Sequence, residues 1–407
     1  MSCGEKDIKR RNVRTQADIE RWIMKLIAFY LPQFHEIPEN SDAWGNGFTE
    51  WTNVRKARPL YAGHNQPRVP LHGRYYNLLE DGVMEWQMSL AEKAGIYGFC
   101  FYHYWFGGRM VLEKPVKMLL ENKKIDFHYC FSWANEPWTK TWHGAGGEKE
   151  ILIPQNYGGQ EEWEAHYEYF REYFRDERYI KEQHRPVLLI YKLRNIPHFN
   201  GMIRYWNRRA QEDGFAGIFL LSMDTWREQA AKSRWVDGTV DFEPNKTRIE
   251  QMHVSAVLKP SESPGILRNR FAVSSMNYRK LNEKMLRTPH GKNQFRTVFA
   301  DYDDSPRRGT RAAVTRGSTP GKFGKYLRES IRLSREEGNE YLFVNAWNEW
   351  GEGNYLEPDT RYGYEYLKQI KRVMEEDGRK TGRDYGIHHS TGGRERHTFG
   401  ISDQEQT

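Results

Sequence analysis

The sequence predicts a single (β/α)8 barrel of the TIM type, and three observations support this fold. Apolar, strand-like segments alternate with amphipathic helical segments along most of the chain, which favours a parallel sheet. The strand-like segments are apolar throughout, as strands buried on both faces are. About eight such units fit within 407 residues, a suitable length for one barrel with its loops. A doubly wound open sheet is the alternative, because the sixth strand-like segment is weak.

Eight segments have the composition of buried strands. The first, MKLIAFYLPQF, covers residues 24–34, and the last, YLFVNAWNEW, covers residues 341–350. Because parallel barrel strands all end at one face, we expect the polar and aromatic residues that end these segments to meet there. The six segments between the first and the last span residues 97–106, 127–137, 186–192, 217–224, 236–244 and 296–304.

Amphipathic helices are predicted between these strands. Residues 78–95 place apolar side chains on one stripe with the period of a helix. Residues 161–174 and 323–338 show the same period, and the second of these segments ends at a glycine, a common helix stop. Residues 361–376 supply a helix that closes the barrel.

The chain is predicted to hold one domain between two polar ends. Residues 1–23 form a charged extension and residues 24–376 the barrel, whereas residues 377–407 are polar and Gly/Arg-rich and predict a disordered tail. The sequence has no apolar run long enough to span a membrane and no signal-type apolar region near its start. With three cysteines that form no CxxC pair, these features favour a cytoplasmic protein with reduced, buried thiols.

Composition favours a carbohydrate ligand over a nucleic acid. The formal charge is +7, but no helix-turn-helix, zinc-finger or RNA-binding pattern accompanies the basic residues. They concentrate in residues 267–287 and 305–317, which we interpret as a solvated face, with a groove for anionic groups as the alternative. Aromatic residues make up 14% of the chain, including 14 Trp and 24 Tyr. Their flat faces with polar edges suit a sugar, which is partly apolar and partly hydroxylated.

The segment FVNAWNEWGEGNYLEPD carries the strongest candidates for catalysis. Glu349 lies at the end of the eighth strand, and Glu352 follows three residues later. Cleavage of a glycosidic bond needs two carboxyl groups, one to donate a proton and one to act as base or nucleophile. Gly351 and Gly353 would let the turn fold back and bring the two carboxylates close, so that each shifts the pKa of the other. The alternative is an acidic first turn of a helix.

Thirteen further residues at the strand ends and in the first long loop are candidates for substrate binding. Tryptophans would stack on sugar faces, although some of them belong to the core, and polar residues would bind hydroxyl groups. The histidines and the Asn135–Glu136 pair have an alternative role as buried structural groups. The candidates are Tyr30, His35, Trp44, Trp51, His103, Trp105, Trp133, Asn135, Glu136, Tyr191, Asp301, Asp303 and Asn348.

Three motifs resemble a known family. The runs AFYLPQFHEIPENSDAWGNGFTEWTNV, CFSWANEPWTKTW and NAWNEWGEGNYLEPD resemble the WbsX-type family, which is similar to glycoside hydrolase family 99, the endo-acting α-mannosidases and mannanases. The resemblance implies a (β/α)8 barrel that acts on glycans. The E-W-x-E-G pattern of the family 99 enzymes matches residues 349–353. By this resemblance, Glu352 corresponds to the general acid/base, and Glu349 to the residue that assists the substrate's own 2-hydroxyl, through an anhydro-sugar intermediate with retention.

Three functions remain open from the sequence. The first is a glycoside hydrolase or transglycosidase that uses the carboxylate pair on a polysaccharide, with mannose-containing chains as candidates. The second is a nucleotide-sugar-dependent glycosyltransferase of O-antigen, capsule or lipopolysaccharide synthesis, a label that members of the WbsX-type family commonly carry. The third is a non-catalytic glycan-binding barrel.

The DYDD run at residues 301–304 supports the second function. Asp301-x-Asp303 is a pattern with which glycosyltransferases hold Mg²⁺ or Mn²⁺ on a sugar diphosphate, since both ions prefer oxygen ligands. No phosphate-cradling glycine loop accompanies it, and an acidic strand end in the mouth of the barrel is the alternative. We therefore predict neither a cofactor nor a resident metal.

Overall fold

A nearly closed barrel of parallel strands forms the centre of the structure, a computed structural model that describes residues 23–140, 150–225, 233–248, 253–258 and 270–384. Within these residues the barrel has nine strands, and helices pack around it. Numbered in chain order, the barrel strands are β1 (Lys25–Tyr30), β2 (Gly98–Phe106), β3 (His128–Trp133), β4 (Arg185–Ile190), β5 (Phe219–Asp224), β6 (Gly238–Asp241), β7 (Gln294–Phe295), β8 (Thr297–Phe299) and β9 (Tyr341–Asn345).

The order of the strands closes the sheet on itself. Hydrogen bonds join the strands in the order β7-β6-β5-β4-β3-β2-β1-β9-β8, and every neighbouring pair is parallel. The two ends of this order, β7 and β8, are separated in the chain by Arg296 alone. They therefore act as one interrupted strand, and the (β/α)8 prediction is confirmed. The weak sixth segment is a strand of only four residues.

Aromatic side chains fill the inside of the barrel. Phe29 stacks on Tyr102 and on Phe343, with ring centroids 5.8 and 5.5 Å apart, and meets Phe242 edge-on at 6.0 Å. Residues adjacent in a strand point to opposite faces, so Phe101 lies on the outer side of β2. All nine residues of β2 are buried, because the barrel covers one face of the strand and the helices cover the other.

Helices follow the strands as the alternating pattern predicts. The helix predicted at residues 78–95 begins later, at Val83, and ends at Ala94, where Gly95 adopts a left-handed conformation (φ +91°) that stops it. The α-helices are Pro38–Trp44, Glu50–Lys56, Val83–Ala94, Lys114–Glu121, Gln160–Phe174, Phe199–Glu212, Tyr278–Arg287, Ser305–Arg308, Pro320–Glu336 and Glu365–Asp384, and single 3-10 turns cover Leu71–Gly73, Leu193–Asn195, Gly309–Arg311 and Trp350–Glu352.

Further short strands lie outside the barrel sheet or pair with its strands. His253–Leu258, Arg270–Asn277 and Ala313–Arg316 form a separate three-stranded sheet. Further short strands pair as hairpins or extend a barrel strand; these are Arg109–Val111 on β2, Lys181–Glu182 on β4, Trp138–Thr139 with Ile151–Ile153, and Asn348–Glu349 with Asn354–Tyr355.

The closing helix extends past the predicted domain boundary. It runs from Glu365 to Asp384, whereas the tail was predicted to begin at Asp377. The Asp377 side chain accepts a hydrogen bond from Arg335 at 2.6 Å and another from the backbone of Met24 at 3.3 Å, so this residue belongs to the folded domain. Residues 1–22 of the charged extension predicted at 1–23, and residues 385–407, lie outside the described residues. No helix in the described part of the chain is long and apolar enough to cross a bilayer.

The two core cysteines are reduced and buried. Cys100 in β2 and Cys130 in β3 are partners in register between neighbouring strands, and both are free thiols. Burial raises the pKa of Cys100, which keeps the thiol protonated. This confirms the prediction for these two residues, whereas Cys3 lies outside the described residues.

Candidate active site

Three carboxylates meet one arginine at the carboxyl end of the barrel. The guanidinium of Arg307 donates to Glu349 through Nη2 at 3.0 Å and to Glu352 through Nη1 at 2.8 Å. Its Nε donates to Glu50 at 2.9 Å. The Glu50 side chain is fully buried, whereas Glu352 is the most accessible of the three, with 22% of its side chain exposed. The predicted pair of carboxylates therefore shares a single cation.

The turn that carries the pair depends on its glycines. Glu349 ends a short strand, and Trp350–Glu352 form a 3-10 turn before the chain pairs back through Asn354–Tyr355. A Cβ atom on Gly351 would lie 1.7 Å from Oε1 of Glu50. A glycine at this position is therefore what allows Glu50 to reach the guanidinium.

The ratio of charges explains the electrostatics of the site. One guanidinium contacts three carboxylates, so full ionisation would leave an excess of negative charge in a place shielded from water. Burial raises the pKa of Glu349 to about 8, against the attraction of Arg307, and the neighbouring Glu352 and Glu50 push it in the same direction as burial. At neutral pH, Glu349 therefore retains its proton for most of the time.

Tyrosines of β2 line the same end of the barrel. Burial raises the pKa of Tyr102, and the negative charges of Glu349 and Glu352 raise it further, which places this phenol beside the pair. The Tyr104 hydroxyl accepts a hydrogen bond from Gln33 at 3.2 Å. These neutral hydroxyl groups next to the carboxylates are able to bind the hydroxyls of a sugar.

A fourth carboxylate, Glu357, fixes the two tryptophans of the motif. The indole N–H groups of Trp347 and Trp350 donate to it at 3.0 and 2.6 Å. Gln87 and the Tyr76 hydroxyl donate to it at 2.7 and 2.9 Å. Burial raises the pKa of Glu357 to about 7 even though these four donors favour its charged form. Both indoles are buried, so they support the turn from behind and offer little surface to a sugar.

Asn348 also has a structural role. Its side-chain oxygen accepts a hydrogen bond from the Leu31 backbone at 2.7 Å, and its nitrogen donates to the Leu31 carbonyl at 3.0 Å. This side chain therefore ties the loop after β9 to the loop after β1, on either side of the carboxylate pair.

The DYDD run forms ion pairs of its own. Asp303 accepts hydrogen bonds from His64 at 2.7 Å and from Gln66 at 2.8 Å, and Asp301 pairs with Arg68 at 2.8 Å. Burial opposes the charge on Asp303, but these partners outweigh it and lower its pKa to about 2. Among the described residues, no group of three or more acidic, His or Cys side chains is arranged to hold a metal ion. The two carboxylates instead join the first long loop to the end of β8.

Two more of the substrate-binding candidates pack behind the site. The Tyr30 hydroxyl donates to Gln87 at 2.6 Å, and its ring packs on Phe101 at the outer side of β2. The indole of Trp51 donates to the Tyr76 carbonyl at 2.8 Å. Both side chains are buried, so their polar atoms face protein.

Three further candidates join β2 and β3 to a surrounding helix. His103 forms a hydrogen bond with His166 of Gln160–Phe174 at 2.9 Å, and burial lowers the pKa of His103 to about 3. Trp105 stacks on His166 with centroids 4.4 Å apart, and Trp133 packs edge-on against it at 4.7 Å. The structure therefore supports the alternative, structural reading of His103.

The remaining substrate-binding candidates differ in their exposure to solvent. Asn135 is buried and fixes the end of β4, because its side chain accepts from the Lys192 backbone at 2.7 Å and donates back at 2.8 Å. His35 is buried as well, and burial lowers its pKa to about 4. The partly exposed candidates are Trp44, Glu136 and Tyr191.

Sequence reasoning missed Arg307 and Glu50. Arg307 lies in residues 305–317, which were interpreted as a solvated face; for Arg307 that interpretation is wrong, because only 12% of its side chain is exposed. Glu50 lies within the first resembling motif, in the run FTEW, where a glutamate between apolar residues was the available signal. Nothing in the local pattern indicates that these two side chains meet.

The overall fold is similar to that of solved glycoside hydrolase family 99 structures. The structure is similar to the family 99 endo-α-mannosidase of Bacteroides thetaiotaomicron in complex with bis-tris-propane, with a TM-score of 0.53 and 13% identity over 88% of this chain and 98% of that one. A second structure of that enzyme gives a TM-score of 0.50 and 14% identity over the same shares. A glycoside hydrolase-like protein gives 0.51 and 12% identity over 86% of this chain and 94% of its own. The chain thus shares the (β/α)8 barrel fold of these proteins.

The chain belongs to the glycosyltransferase WbsX family, which it matches over residues 26–370. It is 32% identical over 365 residues to the uncharacterized protein WxcX from two strains of Xanthomonas campestris pv. campestris. That match covers 89% of this chain and 51% of WxcX, so the chain spans about half the length of the curated relatives it matches.

Proposed function

We propose that the protein is a carbohydrate-active enzyme of the glycoside hydrolase type, which acts on the glycosidic bonds of a polysaccharide. The observation that carries this proposal is the contact of Glu349 and Glu352 with one guanidinium at the carboxyl end of the barrel. Active sites of (β/α)8 enzymes form at this end, and two carboxyl groups held close together are what glycosidic cleavage requires.

We assign the two roles by the resemblance of the E-W-G-E-G motif. Glu352, the more accessible group, would donate a proton to the leaving oxygen and later accept one from water. Glu349 would take the proton from the substrate's 2-hydroxyl. A carboxylate whose pKa is raised to about 8 is a stronger base, once ionised, than an ordinary glutamate, and a pKa near the working pH suits proton transfer in either direction.

Arg307 would hold both carboxylates in place before substrate binds. A hydroxyl of the sugar is able to replace one of its contacts without exposing the guanidinium, because the other carboxylates remain bound to it. The proposed substrate is a mannose-containing polysaccharide, in keeping with the endo-α-mannosidases whose fold the chain shares.

The competing proposal is a nucleotide-sugar-dependent glycosyltransferase, which the family's description favours. This reaction would use the Asp-x-Asp pattern as a metal site. The contacts of Asp303 with His64 and Gln66, and of Asp301 with Arg68, argue against that use. The hydrolase therefore has the better support from the geometry.

A comparison of three variants tests the proposal. Wild type, Glu349→Gln, Glu352→Gln and, as control, Glu336→Gln on an exposed helix surface would be incubated with mannose-containing polysaccharides, and released reducing ends would be measured. A second arm would supply nucleotide sugars with Mn²⁺. We expect each site variant to lose about 10²–10⁴-fold of the cleavage rate, and the control to retain it. Metal-dependent sugar transfer that persists in both Glu349→Gln and Glu352→Gln would contradict the hydrolase proposal. Glycan binding without turnover would favour a glycan-binding barrel.

A further inference from the structure

A cavity of about 850 Å³ lies beside the turn that carries the carboxylate pair. Its lining includes Trp350 and Glu357 from that turn and the segment after it, but neither Glu349 nor Glu352. The opposite side is formed by Trp86 of the helix Val83–Ala94 and by Pro70, Leu71, His72, Arg74 and Tyr76. It is therefore a concave site on the loops that follow β1 and β9, separate from the carboxylate cluster.

Backbone hydrogen bonds fix the rim of this cavity. The Leu71 N–H donates to the Pro358 carbonyl at 2.9 Å, and the Thr360 N–H donates to the Val69 carbonyl at 2.9 Å. Directly after Leu71, His72 adopts a left-handed conformation with φ +57°, which is unfavourable for a residue with a side chain. Strained residues of this kind concentrate where a ligand is held, and the tied loops give the site a preformed shape.

The side chains that a ligand in this cavity would contact are cationic and aromatic. The Arg74 guanidinium lies 3.9 Å from the centroid of the Trp86 ring, and Arg74 is exposed. Neither the Arg74 side chain nor the His72 side chain has a hydrogen bond or an ion pair with any residue that the structure describes. Glu357 at the floor is different, since four donors already occupy its carboxylate. A ligand entering the cavity therefore meets an unpaired guanidinium, an imidazole and the rings of Trp86 and Tyr364.

We propose that this cavity binds a sugar unit that carries a carboxylate, with Arg74 as its ion-pair partner. A guanidinium binds a carboxylate through two parallel hydrogen bonds, and the neighbouring rings suit the CH face of a pyranose. The cavity borders Trp350, the residue that directly follows Glu349, so an acidic polysaccharide bound there would lie next to the turn that carries the carboxylate pair. The inference goes beyond the proposed function and does not depend on it, because binding is measured without turnover.

Calorimetric titration with a galacturonic acid trimer tests this site, with the methyl-esterified trimer as the uncharged ligand of the same shape. Arg74→Gln would remove the charge from the cavity. Arg55→Gln is the matched control, because Arg55 also stacks on an aromatic ring, at 3.9 Å from the centroid of Tyr75, but does not line the cavity. We expect the acidic trimer to bind wild type and Arg55→Gln equally, and both the ester and the Arg74→Gln variant to bind about tenfold or more weakly.

Three results would overturn the proposal. One is that neither trimer binds to the wild type. The second is that Arg74→Gln binds the acidic trimer as tightly as Arg55→Gln does, which would place the ligand elsewhere. The third is that inorganic phosphate displaces the trimer at equal concentration, which would reduce the site to simple anion binding. Loss of catalysis in Glu349→Gln with trimer binding intact would leave this site standing, so failure of one proposal is distinguishable from failure of the other.

Discussion

Two carboxylate clusters lie next to each other at the carboxyl ends of β8 and β9. In one cluster the carboxylates outnumber their cationic partners, and in the other a carboxylate has several donors to itself. Around Arg307, three carboxylates contact one guanidinium. The Asp303 carboxylate has His64 at 2.7 Å, the amide of Gln66 at 2.8 Å and the guanidinium of Arg68 at 3.7 Å. The clusters touch, because the Asp303 N–H donates to the Glu352 carbonyl at 2.6 Å.

The comparison separates the effect of burial from the effect of partners. Glu349 and Asp303 are both buried, and burial alone would raise the pKa of each. The pKa of Glu349 is nevertheless raised to about 8, whereas that of Asp303 is lowered to about 2. A shortage of cations thus leaves a carboxyl group that is able to take up and release a proton near neutral pH, and a sufficient number of donors turns a carboxylate into a structural anchor. This difference is our reason for placing catalysis at residues 349–352 and not at 301–304.

Removal of the shared cation is expected to have the largest effect. Arg307→Met would leave Glu50, Glu349 and Glu352 without the guanidinium that they share, and loss of one partner from a buried ion pair costs about 3–5 kcal/mol of unfolding free energy. The loss should be greater at pH 8 than at pH 5, because protonation at lower pH relieves the repulsion. Urea denaturation at both pH values measures it.

The neighbouring arginine gives a matched control for this substitution. Arg308 lies on the same short helix, pairs with Asp304 at 3.0 Å and is 57% exposed. Asp304 is buried but also accepts a hydrogen bond from the Ala313 N–H at 2.7 Å, and the exposed guanidinium is largely solvated, so Arg308→Met should destabilise the protein less than Arg307→Met does. Equal destabilisation by both variants would show that the helix, and not the shared guanidinium, holds the carboxylates in place.

A smaller effect is expected from neutralising the second cluster. The pKa of Asp303, about 2, lies below its ordinary value of about 3.9, and this shift corresponds to roughly 2–3 kcal/mol of stability. Because the folded pKa is lowered, this contribution is present above pH 4 and is lost as the pH falls towards 2. Asp303→Asn should therefore destabilise the protein at pH 7 and progressively less below pH 4, as measured by denaturant unfolding.

The same variant tests the competing function. If Asp303 anchors the loop, the folded Asp303→Asn protein should retain polysaccharide cleavage to within about tenfold, because the acid/base pair, worth about 10²–10⁴-fold in rate, is unchanged. Addition of Mn²⁺ should not change the rate of polysaccharide cleavage by either Asp303→Asn or the wild type. An unchanged stability together with the loss of a Mn²⁺-dependent transfer activity would reverse the assignment of the two clusters.

The barrel and the carboxylate pair were predictable because their signals are local in the sequence. Continuous apolar runs mark strands that are covered on both faces, and Glu349 and Glu352 share one short motif. The partners of the pair were not predictable, since Arg307 and Glu50 are 257 positions apart and meet only through the closed barrel. Their contact depends on the packing of two loops, for which the sequence carries no periodic signal.

The aromatic candidates illustrate a second limit of sequence reasoning. In a strand with one wet face, alternation of polar and apolar residues shows which side chains point inward. All of β2 is buried, so its sequence does not indicate that Tyr102 faces the carboxylate pair while His103 faces the helix Gln160–Phe174. The number of aromatic residues therefore predicts a class of ligand, but it does not indicate which rings face the carboxylate pair.

The prediction that separates the roles of Glu349 and Glu352 is the pH dependence of kcat/KM. This ratio reports the pKa values of essential groups in the free enzyme. If Glu349 acts as the base, kcat/KM should rise as Glu349 loses its proton, with a midpoint near pH 8. A fall through the same range would instead make Glu349 the acid.

The pH dependence of unfolding stability gives an independent measure of the same proton on Glu349. Because the folded pKa of Glu349 is raised above that of an unfolded glutamate, its contribution is most favourable below about pH 4.3 and is lost as the pH rises to about 8. Glu349→Gln should therefore be more stable relative to wild type at pH 8 than at pH 5, and a difference that does not change with pH would show that Glu349 does not hold the proton.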